Sequence, residues 1–223
     1  MKRILTTLFF ALLVVASANA QCHYFLTLDE LVSNNWHPLD TIMTTQHSKN
    51  HQLWWGGNDY VLTTGDSRVD KVLKKNAFAA MQGDTLYVNC RNLRYEKTGF
   101  GNGYTRAMRI GEHSVLFVNK MIGRSARNSV ALTSVMFGGI AGAISASGYN
   151  KQQVCYLISW GADDKGHINI RLLDDDLIEQ MLKEHPDLWL EYRAEQDDSK
   201  RILAKRVVPL LEKAGLFNNK PKQ

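Results

Sequence analysis

The 223-residue chain lacks the short motifs that mark common catalytic sites. It has no Gly-x-Ser-x-Gly turn, no Walker A loop and no Cys-x-x-Cys pair, so the nucleophile-elbow, phosphate-loop and paired-thiol chemistries have no anchor here. Cysteine is scarce. Cys22, Cys90 and Cys155 permit one bridge in an oxidising compartment and leave one thiol over. Strong charge of one sign is missing too: a formal charge of +5 gives no reason to expect nucleic acid or an anionic membrane as partner. There is no linker, convincing repeat or low-complexity tail before about Asn218, which suits one domain able to bury a real core.

What is present begins at the amino terminus. Lys2 and Arg3 precede an uncharged apolar run from Ile4 to Val15, and Ala18-Asn19-Ala20 follows as a small-x-small site. Charge to orient, an apolar helix to partition and small side chains for the peptidase are, in that order, a secretory signal. The apolar run is shorter than the roughly 20 residues a membrane span needs. Cleavage after Ala20 would leave 203 of the 223 residues and lower the charge to +3, since Lys2 and Arg3 depart. Cys22 does not read as a lipidation site, because Gln21 stands where a small residue is required and Asn19 where an aliphatic one is. Export puts the mature chain in the periplasm, on the cell surface or in the medium.

The mature region, 21–223, reads as α+β: antiparallel hairpins forming a sheet or partly closed barrel, then helices over 174–215. Thr27-Leu28-Asp29-Glu30 is a capping box for a short helix, and a second helix is expected over about Asp66 to Lys75. Four hairpins are predicted. Leu53–Trp55 and Tyr60–Leu62 flank Gly56 to Asp59; Phe78–Met81 and Thr85–Cys90 flank Gln82-Gly83-Asp84. Ala107–Ile110 and Ser114–Val118 flank Gly111 to His113; Val154–Trp160 and His167–Leu173 flank Gly161 to Gly166. Ile168, Ile170 and Leu172 alternate with Asn169 and Arg171, the period of a half-buried strand. Asp174, Asp175 and Asp176 crowd a helix start, a capping role. Ser199 is placed to cap a last helix bearing the stripe Leu203, Val207, Leu210, Ala214, with Gly215 closing it and Pro209 bending it.

No charge falls between Arg127 and Lys151, and Val130 to Ser147 is apolar and rich in small residues. Gly138 with Gly142, and Gly139 with Ala143, give the small-xxx-small spacing that lets two helix backbones approach. This segment suits a buried helix or helical hairpin, a membrane-inserting or self-associating surface, or a transmembrane helix. Lys120, Arg124 and Arg127 on its amino-terminal side argue against the last, because they would lie outside.

Several residues carry candidate chemistry. His47 and His51 have a zinc-binding spacing but stand in a polar stretch without the intervening glutamate. Cys90 or Cys155 could pair with His113 or His167 as a hydrolase nucleophile, or the two cysteines could bridge each other. Gly99 to Gly103 has the glycine content of a phosphate loop, but a strand rather than a helix is expected after it. Trp54 and Trp55, with Trp36, Trp160, Asn58 and Asp59, could form a sugar-stacking platform; aromatics in hairpins are more often core.

Taken together, Trp55-Gly-Gly-Asn-Asp-Tyr60, Thr64-Gly-Asp66 with Lys74-Lys75, Ala77-Phe78-Ala79, Leu86 to Tyr95, the glycine-rich segment and Gly161 to Gly166 resemble an uncharacterised family of exported proteins from Bacteroidetes, a domain of unknown function. The resemblance implies export and a single domain and brings no activity or cofactor. The expectation is therefore a non-enzymatic envelope or secreted protein that binds a glycan, a protein or a membrane surface. A membrane-associating protein acting through 130–147 and a Cys/His hydrolase stand as alternatives. Amino-terminal sequencing of native material should start at Gln21; a chain that still begins with Met1 would overturn the export reading.

Overall fold

The computed structural model describes residues 21–48, 58–122, 153–161 and 167–218. Its elements in chain order are β1 (Cys22–Phe25), α1 (Leu28–Val32), β2 (His37–Leu39), β3 (Met43–Gln46), β4 (Tyr60–Thr63), α2 (Ser67–Lys75), β5 (Ala79–Gln82), β6 (Thr85–Asn89), β7 (Arg94–Tyr95), β8 (Thr98–Gly99), β9 (Tyr104–Ile110), β10 (Ser114–Lys120), β11 (Gln153–Trp160), β12 (Ile168–Leu172), α3 (Asp175–Met181), α4 (Pro186–Arg193), α5 (Asp198–Arg201) and α6 (Ala204–Lys213). The fold is α+β. One antiparallel sheet runs β12-β11-β10-β9-β6-β5-β1-β2, with β4 joined to β9 at Tyr60–Tyr104 and β3 joined to β4. It stays open rather than closing into a barrel.

Three of the expected hairpins form, one with the expected bounds at its turn and two with strand ends shifted by one residue. Gln82 pairs with Thr85 across Gly83-Asp84, Ile110 pairs with Ser114, and Trp160 pairs with Ile168. Gly83 and Gly111 supply the positive φ those turns need, at 57° and 61°. The fourth hairpin differs. Tyr60–Thr63 pairs with Met43–Gln46, while Leu53 to Trp55 lie outside the described residues.

The period-two pattern sends alternate side chains to two faces, and both are buried over the central strands. On the first face Phe25, Met81, Leu86, Val88, Ala107, Phe117, Tyr156 and Ile158 form one core, covered by Leu28 and Leu31 of α1 and by Phe100. Phe117 stacks on Tyr156, and Phe100 meets both rings edge-on at 5.0 and 4.8 Å. The second face carries two separate clusters. At one end Leu73 of α2 and Tyr60 and Leu62 of β4 cover Tyr87 and Tyr104. At the other, α3, α4 and α6 bring Ile178, Tyr192, Val207 and Leu211 onto Leu116, Cys155 and Leu157.

Local capping explains where the helices begin. The Thr27 hydroxyl accepts from Glu30 N at 3.1 Å, but Glu30 reaches back one residue beyond the expected box, to Leu26 N at 2.6 Å. Asp66 caps α2 and Asp174 caps α3. The helix expected from Ser199 is corrected to two. Asp197 caps the short α5, and Leu203 is then drawn into an extended backbone and an antiparallel bridge with Val154 before α6 starts. Pro209 lies inside α6 and Gly215 follows it at φ 67°.

Asp175 does more than sit near a helix start. Its carboxylate accepts from the buried Arg201 guanidinium at 2.5 and 3.2 Å, from Tyr192 Oη at 2.6 Å and from Arg193 at 2.9 Å. Arg201 also pairs with Asp198 and donates to the Glu195 carbonyl. Burial alone would raise the Asp175 pKa; the bonds from Arg201 and Tyr192 outweigh it and hold the carboxyl below its usual range. Its contribution is therefore complete above the unfolded value of 3.8 and is lost as pH falls toward the lower folded value. Asp175→Asn should cost about 2 kcal/mol in denaturant unfolding near neutral pH and flatten the acid limb of stability below pH 4. An unchanged acid limb would remove this account.

Candidate functional site

The residues singled out in the sequence are not brought together. Cys90 and Cys155 are both free and fully buried, so the disulfide expectation is corrected. Cys90 follows β6 and packs in the first-face core, whereas Cys155 points from β11 into the second-face core. β9 and β10 stand between them, and about 14 Å of sheet width exceeds the roughly 7 Å a bridge tolerates. Burial pushes the Cys155 thiol up to about 12 and raises that of Cys90 further.

The proposed histidine partners are at the wrong end of the sheet. Cys90 N donates to the Gly103 carbonyl just before β9, and Cys155 stands opposite Val118 near the end of β10. His113 is in the turn after β9, and His167 precedes β12 opposite Gly161. A seven-residue strand separates the two ends, about 20 Å, so no thiol–imidazole pair is assembled.

Asn58 is turned inward. Its Nδ2 donates to the carbonyls of Asn102 (3.0 Å) and Phe100 (3.4 Å), and its Oδ1 accepts from Asn119 Nδ2 at 2.7 Å. Asn119 Nδ2 also reaches Cys90 Sγ at 3.5 Å. This buried chain fastens the segment before β4 to the 100–103 turn and to β10. Its amides are satisfied by protein groups, as burial demands. The Gly99–Gly103 stretch is this turn, with Gly101 and Gly103 both at φ 94°. A side chain at Gly103 would place Cβ 2.9 Å from the Tyr60 carbonyl. Trp36 rests on His23 and Trp160 joins the first-face core, both away from Asp59. Trp54, Trp55, His51, Gly138, Gly139, Gly142 and Ala143 lie outside the described residues. No group of metal-ligating side chains, and no helix long and apolar enough to cross a membrane, occurs among the described residues.

A different site emerges on the second face, between the α2–β4 cover and α6. A cleft of about 370 Å³ opens over β6, β9, β10 and β11, with Asp59 and Tyr60 on one wall and Val208 of α6 on the other. Met108 and Val118 form its apolar floor, with Thr85, Arg106 and Gln153 rising beside them and Asp84 at the β5–β6 turn. The register explains the convergence: Arg106 stands opposite Tyr87, and Met108 opposite Leu116, on one face. The Arg106 guanidinium lies 5.5 Å from the Tyr60 ring centroid, and Tyr60 is itself held edge-on by Tyr87 at 5.2 Å. Among the described residues, Arg106, Asp84, Thr85 and Gln153 make no side-chain hydrogen bond or ion pair. Burial raises the Tyr60 pKa and outweighs the opposing pull of Arg106, so the phenol stays neutral. The arrangement can bind a polar ligand; it offers no buried base beside a nucleophile.

Sequence reasoning reached Asp59 and missed Arg106, Asp84, Thr85 and Gln153. One signal was available. Tyr104, Arg106 and Met108 alternate with Thr105 and Ala107, which places an arginine on a face otherwise aromatic and apolar.

Alkylation with iodoacetamide at pH 8 should modify neither Cys90 nor Cys155 in the folded chain and both after denaturation. Rapid native labelling of either would restore the thiol-nucleophile reading.

The profile of a family of unknown function (DUF6563) matches residues 23–218, and the chain belongs to that family. No curated protein and no solved structure matches.

Proposed function

We propose that this member of the family is an exported, non-enzymatic binding protein whose ligand sits in the cleft on the second face of the sheet. The observation that supports this most is the convergence of Arg106, Asp84, Thr85 and Gln153, without side-chain hydrogen-bond or ion-pair partners among the described residues, on an apolar floor of Met108 and Val118. Ligand sites combine a concave apolar surface with a few orienting polar groups, and all of these but Asp84 stand on paired strands. Two buried thiols and the distance from either to His113 or His167 weigh against a hydrolase. The signal-like first twenty residues supply the export half of the reading.

A thermal-shift screen of the mature chain against sugars, organic acids and amino acids tests the binding half. At least one compound should raise the unfolding temperature of the wild type. The same compound should fail with Thr85→Trp, whose indole would fill the cleft from the half-buried first position of β6. If no compound stabilises the chain, or Thr85→Trp responds as the wild type does, the cleft is not the binding site.

A further inference from the structure

We infer that the cleft recognises a hydroxylated carboxylate of the uronic-acid class, an inference that rests on the binding reading above and names its ligand. Arg106 carries the argument. Its guanidinium is exposed, is held against the Tyr60 ring rather than by a carboxylate, and rises from the middle of β9 into the cleft. A guanidinium without a counter-ion among the described residues offers its fork to a planar anion, and carboxylates accept it in two parallel bonds.

The rest of the lining selects what accompanies that anion. Asp84 is an acceptor, Thr85 both gives and takes a hydrogen, and the Gln153 amide does the same. Such a set reads hydroxyl groups, each of which donates one hydrogen and accepts others. The floor of Met108 and Val118, with Val208 beside it, takes a C–H face. The Tyr60 ring is already covered by Arg106, so the sugar lies on aliphatic carbon instead of stacking on an aromatic. The volume of about 370 Å³ falls at the small end of ligand pockets, which fits one or two pyranose rings rather than a long chain.

The test is titration of the mature chain with D-glucuronate, D-glucose and hexanoate, followed by calorimetry and by the Arg106 Nε–H resonance. Glucuronate should bind and shift that resonance. Glucose lacks the carboxylate and hexanoate the hydroxyls, so each should bind about tenfold more weakly or worse. Arg106→Gln should weaken glucuronate by about tenfold or more, and Arg106→Lys, which keeps charge but loses the fork, should fall between. Circular dichroism should show both variants folded, since Arg106 is exposed. Failure of glucuronate to bind, equal binding by Arg106→Gln, or parity with glucose or hexanoate each overturns the assignment. If the assignment fails while a screened compound still depends on an open Thr85 site, only the ligand class is lost. If nothing depends on that site, the binding reading is lost with it.

Discussion

β6, β10 and β11 are buried on both faces at their centres. Val154, Cys155, Tyr156, Leu157 and Ile158 of β11 are all buried in succession, so each face there must be covered by something apolar. Burying one such side chain stabilises by about 1.5–3 kcal/mol, which makes an uncovered central strand costly. On the first face the buried side chains form one cluster. On the second the cover comes from two directions, α2 with β4 at one end and α3, α4 and α6 at the other, and among the described residues these form two separate clusters. The cleft is the gap between them. An arginine, a threonine and a glutamine occur on this face where none of the described helices lies over it, and tyrosine, leucine and cysteine where one does.

The polar groups inside the fold are used to hold the two covers in place. Tyr104 Oη donates to the Leu73 carbonyl of α2 at 2.6 Å, and Asn89 Nδ2 donates to the carbonyls of Leu73 and Ala77. These bonds satisfy the end of α2 from the sheet beneath it, where an unpartnered carbonyl would cost about 1–3 kcal/mol. At the other end Arg201 is buried between Asp175 and Asp198 and fastens α5 to α3. The walls of the cleft are thus set by buried hydrogen bonds, and its polar lining is left over for solvent or ligand.

Much of this was legible in the sequence. Period-two alternation with a glycine-bearing turn located β5–β6, β9–β10 and β11–β12, because hairpin pairing is local and its signals lie within a few residues. Asp66 and Asp174 marked their helices for the same reason. The partner of β4 was not legible: its own signal is good, but its partner Met43–Gln46 lies beyond a turn cluster that suggested a nearer one. Leu203 was read as helical because its spacing to Val207 and Leu210 is helical; its bridge to Val154 is a long-range contact that overrides that preference. The cleft escaped notice because its residues come from five separate strands and a helix, and none is unusual in its own neighbourhood.

β1 is the first strand of the sheet in chain order, yet it lies inside it, between β2 and β5. Its pairing with Ala79–Gln82 spans far more chain than the hairpins do, and loop closure of that length makes it a late event. A chain delivered amino end first, from a ribosome or across a membrane, therefore presents Cys22 and Phe25 to solvent before the strand that will cover them exists. The local hairpins can form as they emerge. The docking of β1, and of β2 which hangs from it, must wait for β5, so this edge of the sheet gains protection from exchange only after the β5–β6 hairpin has emerged.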